Sequence, residues 1–227
     1  MTASPLIRQV AKRVLPVMTY RKLVARAFHR HYYRSLVWQD TYWLGVPVWK
    51  CPPDMWIYQE LLYELRPDVI VETGTQFGGS AYFLASMCAL LDHGRVISVD
   101  IEQRAGRPQH PRLEYVTGSS TSGDTIAQVT AKLGDARTVI VILDSEHSRD
   151  HVLSELSAYA DLVTPGSYLI VEDTNINGHP ILRGYGPGPM EAVDEFLGSG
   201  APFTIDASRE KFGLSFSPRG FLRRSGE

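Results

Sequence analysis

The stretch VIVETGTQFGGSAYFLA, residues 69–85, contains the pattern that decides the fold. A continuous apolar run comes first, a glycine-rich turn follows it, and a segment of helical character comes last. Continuous apolar runs are typical of strands that are covered on both faces, as they are in parallel sheets. The stretch therefore predicts a strand, a turn and a helix of an α/β sheet.

The same unit recurs along the chain. Further apolar runs are RVISVD, RLEYVTG, TVIVILD and SYLIVED, at residues 95–100, 112–118, 138–144 and 167–173. Helical segments are expected at about residues 80–91, 122–133 and 148–160, with a shorter connection between the second and third runs. Strands that alternate with helices in this way predict a doubly wound α/β fold with a mostly parallel sheet.

The C-terminal part of the sequence predicts that one edge of the sheet is antiparallel rather than parallel. A helix over GPMEAVDEFLGSG, residues 188–200, is followed by PFTIDAS and then by FGLSFSPRGFLRR, residues 212–224. This last stretch alternates between apolar and polar residues and turns at SPRG, so it predicts an antiparallel hairpin. Before the first strand, a helix is expected to begin at Asp54 as its N-cap and to end before Pro67.

The N-terminal 39 residues are basic. They contain eight Lys or Arg and no Asp or Glu, whereas the rest of the chain has 15 basic against 25 acidic residues. We divide the chain into a helical leader with an aromatic arm, residues 1–53, and one domain, residues 54–227. The leader could lie on a membrane surface, but Pro16 and the lack of a long apolar face favour packing in a homo-oligomer.

Composition narrows the functional class. The formal net charge of −2 over 227 residues, with no basic patch beside the motifs, argues against a nucleic-acid partner. The chain has no apolar stretch long enough to cross a membrane and no signal-peptide core, so we expect a cytoplasmic protein. Cys51 and Cys88 are interpreted as apolar fillers rather than a disulfide or metal ligands.

Acidic residues mark the predicted strand ends. In open α/β sheets, ligands bind at the carboxyl ends of the strands. The acids at those ends are Glu72, Asp100, Asp144, Glu172 and Asp173. Their concentration at one rim predicts a binding site there.

The glycine-rich turn identifies one end of this rim. Its spacing fits neither the dinucleotide fingerprint nor a phosphate loop, and it resembles motif I of class I methyltransferases, which holds the amino-acid part of S-adenosylmethionine. Asp100 would accept the ribose hydroxyls, although strand-end acids can also simply cap helices. The predicted donor-binding residues are Glu72, Gly74, Thr75, Gly78, Ser80, Asp100, Ser119, Ser120 and Asp144.

The other end of the rim predicts a metal site. Two adjacent buried carboxylates, Glu172 and Asp173, repel each other, so a positive group is expected beside them. Together with Asp144 they offer only oxygen ligands, which favour Mg²⁺ or Mn²⁺. The alternative is that Asp173 caps a helix while Glu172 pairs with an arginine.

Histidines supply the candidate general base. His147 follows Asp144 by three residues and is predicted, with Asp144, to be catalytic, unless it only makes a local hydrogen bond. His179 is the second candidate base, whereas His151 is expected at the surface. The Gly- and Pro-rich loop 175–189 could be a moving lid or an ordered connection, and its Arg183 and Tyr185 could face the substrate.

These motifs jointly resemble one family. The stretches YWLGVPVWKCPPDMWIYQELL, VIVETGTQFGGSAYFLA, VILDSEHSRDHVLSEL, LIVEDTNINGHP and GPGPMEAVDEFL, from Tyr42 to Leu197, resemble the cephalosporin hydroxylase family, which includes rhamnosyl O-methyltransferases. The resemblance implies a seven-stranded Rossmann-like sheet and a divalent cation held by acids matching Asp144, Glu172 and Asp173.

The resemblance also implies a function, which is an S-adenosylmethionine- and Mg²⁺-dependent O-methyltransferase acting on a hydroxylated small molecule. The predicted acceptor is a deoxysugar of the rhamnosyl type in a glycoside or glycolipid. The alternatives are a hydroxylated cephem and a non-catalytic protein that only binds the donor. Hydroxylation is disfavoured, because the two-His-one-carboxylate set of iron oxygenases cannot be assembled here.

Overall fold

In the computed structural model the described residues are 17–226, with side chains described from residue 20. Helix α1, Val17–Arg34, forms the described part of the N-terminal leader, and a 3-10 turn, Val37–Gln39, follows it. The predictions made for residues 1–16, including the break at Pro16, lie outside the described residues. Strands β1, Tyr42–Trp43, and β2, Val46–Pro47, pair antiparallel in the aromatic arm.

The strands and helices of the domain then alternate in the predicted order. They are α2 (Pro52–Leu65), β3 (Val69–Thr73), α3 (Gly79–Leu90), β4 (Arg95–Asp100), β5 (Leu113–Thr117), α4 (Gly123–Leu133), β6 (Val139–Leu143), α5 (Arg149–Tyr159), β7 (Tyr168–Val171), α6 (Pro189–Gly198), β8 (Phe203–Ile205) and β9 (Phe221–Arg224). Two 3-10 turns, Ala160–Leu162 and Ala207–Glu210, follow α5 and β8.

The strands β3 to β9 form one seven-stranded sheet in the order β5-β4-β3-β6-β7-β9-β8. Strands β3 to β7 are parallel, and β9 runs antiparallel to both β7 and β8. The chain thus winds outward in both directions from β3. The structure confirms the doubly wound, mostly parallel α/β fold with an antiparallel hairpin at one edge.

Side chains of β3 alternate between two apolar cores, one on each face of the sheet. Val69 and Val71 share a core with Leu156 of α5, whereas Ile70 shares the other core with Leu84 of α3. This follows from the strand geometry, because successive side chains point to opposite faces. Burying each such side chain contributes about 1.5–3 kcal/mol, so both helix layers require apolar residues on the strand. The strands appear as continuous apolar runs in the sequence because both of their faces are buried.

The C-terminal hairpin differs from its prediction in one detail. Its strands are β8 and β9, joined by residues 206–220, and FGLSFS before SPRG forms no strand. Leu214 and Phe216 are instead buried in a small cluster with Cys51 of the aromatic arm. The backbone N–H of Phe216 donates to the carboxylate of Asp54 at 2.8 Å. Packing against the arm, rather than strand pairing, therefore determines the path of this stretch.

The predicted N-cap of α2 is also wrong. Cys51 occupies the N-cap position, and Pro52 begins the helix. Asp54 lies inside the first turn and is buried, because its carboxylate holds the C-terminal segment through Phe216. Burial raises the pKa of Asp54 to about 7.

Two glycines permit close approach of the backbone at the rim. A Cβ on Gly74, which has a φ of +83°, would lie 1.8 Å from the carbonyl oxygen of Asp144. A Cβ on Gly79 would lie 2.0 Å from the carbonyl oxygen of Pro47. The first glycine lets β6 end directly beside the turn, and the second lets the aromatic arm cover the start of α3.

No helix among residues 17–226 combines the length and the apolar character that crossing a bilayer requires.

Candidate active site

A cleft of about 870 Å³ runs along the carboxyl ends of the parallel strands. The predicted site residues that line it are Gly74, Asp100, Ser119, Ser120, Asp144, His147 and Asp173. Aromatic side chains from the N-terminal part, Tyr33, Trp38 and Trp49, form part of its wall. The structure thus brings most of the predicted residues into one cavity, as expected for strand ends in an open sheet.

Other predicted donor-binding residues lie behind the glycine turn. Glu72 is fully buried and accepts hydrogen bonds from Ser80 Oγ at 2.5 Å and from Ser98 Oγ at 2.8 Å. The hydroxyl of Thr75 lies 2.7 Å from that of Ser98, and Gly78 forms the N-cap of α3 with a φ of +83°. Burial raises the pKa of Glu72. These residues fix the shape of the turn from within.

Asp100 faces the cleft but is already held by protein groups. Its Oδ2 accepts from the N–H of Gln76 at 2.9 Å and from Arg107 Nη2 at 2.7 Å, and its Oδ1 accepts from the N–H of Glu102 at 2.9 Å. Sequence reasoning missed Arg107, which lies in the irregular connection between β4 and β5. These contacts fix the orientation of the Asp100 carboxylate.

The prediction that His151 lies at the surface is wrong. Its side chain is 23% exposed, lines the cleft, and places Nε2 3.0 Å from Ser145 Oγ and 3.2 Å from Ser120 Oγ. Ser145 Oγ in turn donates to the fully buried Glu155 at 2.7 Å. The rotation of α5 about its own axis explains this position. His151 and Glu155 are one turn apart, on the face of the helix that meets the sheet.

The acidic end of the cleft centres on His147. Its Nε2 lies 3.3 Å from Asp144 Oδ1 and 3.5 Å from Asp173 Oδ2, and one ligand atom from each of the three residues lies within 4.8 Å of the others. Asp144 directly follows β6, and Asp173 follows β7 by two residues with a φ of +52°, a left-handed conformation that Asp tolerates. The two neighbouring strand ends therefore converge on one imidazole.

Charge interactions in this cluster shift the pKa values. Burial opposes a charge on His147, but the carboxylates of Asp173 and Asp144 raise its pKa to about 9. Burial raises the pKa of Asp173. For Asp144, burial is outweighed by the positive charge of Lys50, so its pKa is lowered.

Glu172 points away from this cluster. Its Oε1 accepts from Lys50 Nζ at 2.5 Å and from the hydroxyl of Tyr58 at 2.5 Å, and Lys50 Nζ also lies 2.7 Å from Asp144 Oδ2. Burial, followed by the charge of Asp144, raises the pKa of Glu172 to about 8. The same two carboxylates outweigh the effect of burial on Lys50 and raise its pKa.

Sequence reasoning missed Lys50, although it expected a positive group beside Glu172 and Asp173. The lysine belongs to the aromatic arm and is 3% exposed. One signal was available, because an isolated lysine between Trp49 and Cys51, in an otherwise apolar stretch, must have a buried partner.

The loop 175–189 is anchored at several points. Asn177 Nδ2 and the N–H of Gly188 donate to Glu191 of α6, at 3.1 and 2.8 Å. His179, the second candidate base, lies 2.9 Å from the same carboxylate and does not line the cleft. This bonding is typical of an ordered connection. Tyr185 in the loop is 47% exposed.

The donor set fits a hard divalent cation. Two carboxylates and one imidazole converge with their ligand atoms within 4.8 Å of one another, and oxygen-rich sets of this kind suit Mg²⁺ or Mn²⁺. The third predicted ligand, Glu172, contacts Lys50 instead. The structure therefore offers Asp144 and Asp173 as the acidic donors of this cluster.

Comparisons with known proteins identify the family of this chain. Residues 35–225 match the family described as Rhamnosyl O-methyltransferase/CmcI. Proteins named Rhamnosyl O-methyltransferase from Mycobacterium tuberculosis and Mycobacterium bovis are 42% identical over 213 residues, covering 89% of this chain and 85% of theirs. The protein of that name from Mycobacterium leprae is 39% identical over 219 residues, covering 91% of this chain and 94% of its own.

Solved structures share the fold. One described as "cmcI-D160 Mg-SAM" superposes with a TM-score of 0.65 at 23% identity, covering 83% of this chain and 78% of that one. The match to the family extends over almost all of the described residues and confirms the resemblance drawn from the sequence. This protein therefore belongs to the rhamnosyl O-methyltransferase/CmcI family of O-methyltransferases.

Proposed function

We propose that this chain transfers a methyl group from S-adenosylmethionine to a hydroxyl of a deoxysugar, of the rhamnosyl type, in a glycoside or glycolipid. The relatives named Rhamnosyl O-methyltransferase are 39–42% identical over most of their length. The CmcI structure is 23% identical. The higher identity to the proteins named Rhamnosyl O-methyltransferase favours a sugar acceptor over a cephem.

The observation that carries the proposal is the meeting of Asp144, His147 and Asp173 in the cleft that also contains the glycine turn. A methyl donor on the turn and a hydroxyl beside the acids would share one cavity, which is the placement that transfer between them requires. A protein that only binds the donor has no need of this second cluster.

For the donor, we propose direct contacts from the residues that line the cleft, namely Gly74, Asp100, Ser119, Ser120 and Asp144. Glu72, Thr75, Gly78 and Ser80 would act by holding the turn in shape, because they lie behind it. The oriented carboxylate of Asp100 suits the acceptance of hydrogen bonds from the ribose hydroxyls.

For the metal, we propose Mg²⁺ or Mn²⁺ held by Asp144 and Asp173. Glu172 enters the ligand set only where the Lys50 ammonium gives up its contact with the Glu172 carboxylate. The chemistry that such a cation supplies is to make a bound hydroxyl more acidic and to fix its direction.

The remaining chemistry belongs to the side chains. The acceptor oxygen attacks the donor methyl in line, so that a C–O bond forms as the C–S bond breaks and S-adenosylhomocysteine leaves. With their charge offset by a bound cation, Asp144 and Asp173 would no longer hold the pKa of His147 at about 9, and the neutral imidazole would then accept the hydroxyl proton at Nε2. Asp144 and Asp173 lie within 3.5 Å of that nitrogen, which places the imidazole beside the proposed metal ligands.

The experiment is mass spectrometry of products after incubation with Mg²⁺, S-adenosylmethionine and a panel of rhamnosylated acceptors. Asp144→Ala is expected to abolish metal-dependent methylation while most donor binding, measured by calorimetry, remains. Asp150→Ala is the matched control, because this carboxylate is exposed on α5 and pairs only with Arg149 among the described residues. Normal methylation by Asp144→Ala without added metal would refute the scheme. Donor binding without methylation of any acceptor would favour a binding protein.

A further inference from the structure

A second cavity, of about 800 Å³, lies between helix α1 and the loop 175–189. It is lined by Arg30, Tyr33, Arg34, Leu36, Pro180, Ile181, Leu182 and Arg183, and we call it the arginine cavity. Its two walls come from distant parts of the chain and touch where Arg30 donates a hydrogen bond to Pro180, 150 residues farther along the sequence. It is therefore a product of tertiary packing.

All charged residues that line the arginine cavity are arginines. Arginines that pair with a carboxylate within residues 17–226 are a different set, namely Arg104, Arg107, Arg112, Arg149, Arg209, Arg219 and Arg224. Three guanidinium groups around one cavity repel one another when no negative charge lies between them. An anion in the cavity would remove this repulsion.

The arginines come from both walls of the arginine cavity. Arg30 Nε donates to the carbonyl oxygen of Pro180 at 3.2 Å, which ties α1 to the loop, and Nη1 and Nη2 have no hydrogen-bond partner among residues 17–226. Arg34 lies one helical turn farther along α1, on the same face. Arg183 belongs to the opposite wall. Guanidinium groups with free paired nitrogens bind phosphate in a bidentate manner.

The arginine cavity adjoins the candidate active site. Tyr33 lines both the arginine cavity and the cleft that contains Asp144 and His147. The Tyr33 ring, which is half-buried, forms the wall between them. A molecule that extends from the cleft past Tyr33 would enter the arginine cavity.

We infer that the arginine cavity binds a phosphate group of the acceptor, either in a soluble sugar phosphate or in a lipid headgroup. This inference rests on the proposed function, because it assigns the second half of the acceptor. The hydroxyl to be methylated lies at His147, and the phosphate lies between α1 and the loop. The arginines thereby position the sugar and select acceptors that carry this charge.

The first experiment measures binding without catalysis. Inorganic phosphate is titrated calorimetrically into the full chain with S-adenosylhomocysteine and a chelator in place of Mg²⁺. The double variant Arg34→Gln and Arg183→Gln is expected to weaken phosphate binding about tenfold or more, the size of a lost charge-assisted contact. Arg26→Gln is the matched control, because this exposed arginine lies one turn before Arg30 and outside the cavity. Unchanged S-adenosylhomocysteine binding shows that the variants are folded.

The second experiment distinguishes the sources of the phosphate. Rhamnose 1-phosphate is compared with methyl rhamnoside as acceptor, and phosphatidylcholine vesicles are compared with vesicles that also contain phosphatidylglycerol. An arginine-dependent fall in KM for rhamnose 1-phosphate indicates a soluble acceptor. Arginine-dependent binding of the phosphatidylglycerol vesicles alone indicates a lipid headgroup.

The outcomes separate this inference from the proposed function. Phosphate binding that is equal in the wild type and in the double variant would overturn the inference, even if both acceptors are methylated. Arginine-dependent phosphate binding without any methylation would support the arginine cavity and count against the proposed function. Equal KM values for rhamnose 1-phosphate and methyl rhamnoside, together with no arginine-dependent vesicle binding, would also overturn the inference.

Discussion

The ammonium group of Lys50 lies 2.7 Å from Oδ2 of Asp144 at the carboxyl end of the central strands. The lysine comes from the aromatic arm, whereas the aspartate ends β6, and Glu172 at the end of β7 contacts the same ammonium group. One buried cation therefore joins the arm to two neighbouring strands. Its removal would leave two carboxylates without their counter-charge.

We predict that Lys50→Met destabilises the protein by about 3–5 kcal/mol, because breaking a buried ion pair leaves charge unpaired in the interior. The free energy of unfolding in urea, measured with a chelator present, checks this value. Lys132→Met is the control, since Lys132 pairs with Glu114 at the surface and should cost no more than about 1 kcal/mol. Equal losses in the two variants would show that the buried pair adds nothing.

Gly74→Ala is expected to destabilise the fold and to reduce methylation together. The new Cβ would lie 1.8 Å from the carbonyl oxygen of Asp144, so the end of β6 must move. Gly106→Ala is the matched control, since Gly106 has the same φ of +83° but no atom within 4 Å of the new Cβ. Unfolding and turnover measurements on both variants separate steric displacement from backbone strain. A Gly74→Ala variant as active as Gly106→Ala would contradict the packing at the rim.

His147→Gln should lower kcat by about 10²–10⁴, the usual contribution of a general base. Donor binding should remain, because His147 belongs to the acidic end of the cleft. His179→Gln is the control for the alternative base, since its imidazole pairs with Glu191 away from the cleft. Turnover measured across pH for both variants checks the assignment. A larger loss in His179→Gln would reverse it.

The docking of helix α1 should weaken in acid. Burial, with a smaller contribution from Arg30, lowers the pKa of His29 from 6.5 to about 4. The neutral ring packs on Phe216 and lies with its Nε2 3.0 Å from Asn175 Nδ2. Because the folded pKa lies below the unfolded pKa, the stabilisation is complete above pH 6.5 and is lost as the pH falls toward 4.

The expected loss from this titration is about 3 kcal/mol, obtained from the size of the shift. Hydrogen exchange of the α1 amides across this pH range measures it. His29→Gln keeps a hydrogen-bonding side chain without titrating, so its α1 exchange should show a flatter pH dependence. An identical pH dependence in the variant and the wild type would exclude His29 as the cause.

The sheet could be predicted because its physical signal is local. Each parallel strand is buried on both faces, so runs such as TVIVILD are apolar throughout, and each helix follows within a few residues. The positions of the acids at the strand ends follow from the order of the strands in the sheet. Asp144 and Asp173 meet because β6 and β7 are neighbours in the sheet.

The contacts that could not be predicted join distant parts of the chain. Lys50 lies 94 residues from Asp144 and 122 residues from Glu172. Local sequence patterns carry no information about contacts over such distances. The apolar residues next to Lys50 in sequence indicate only aromatic packing. The misplacement of His151 has a similar origin, because its exposure depends on how α5 rotates against the sheet.

The salt link of Lys50 has a consequence for anyone seeking a minimal catalytic unit. A fragment starting at Asp54 would keep every strand of the sheet and every acid at its rim. It would nevertheless lack Lys50, whose ammonium group contacts both Asp144 and Glu172 in the interior. Truncation there would remove the positive charge that the buried acids require. The aromatic arm must therefore be kept with the domain when shorter versions of the protein are expressed or designed.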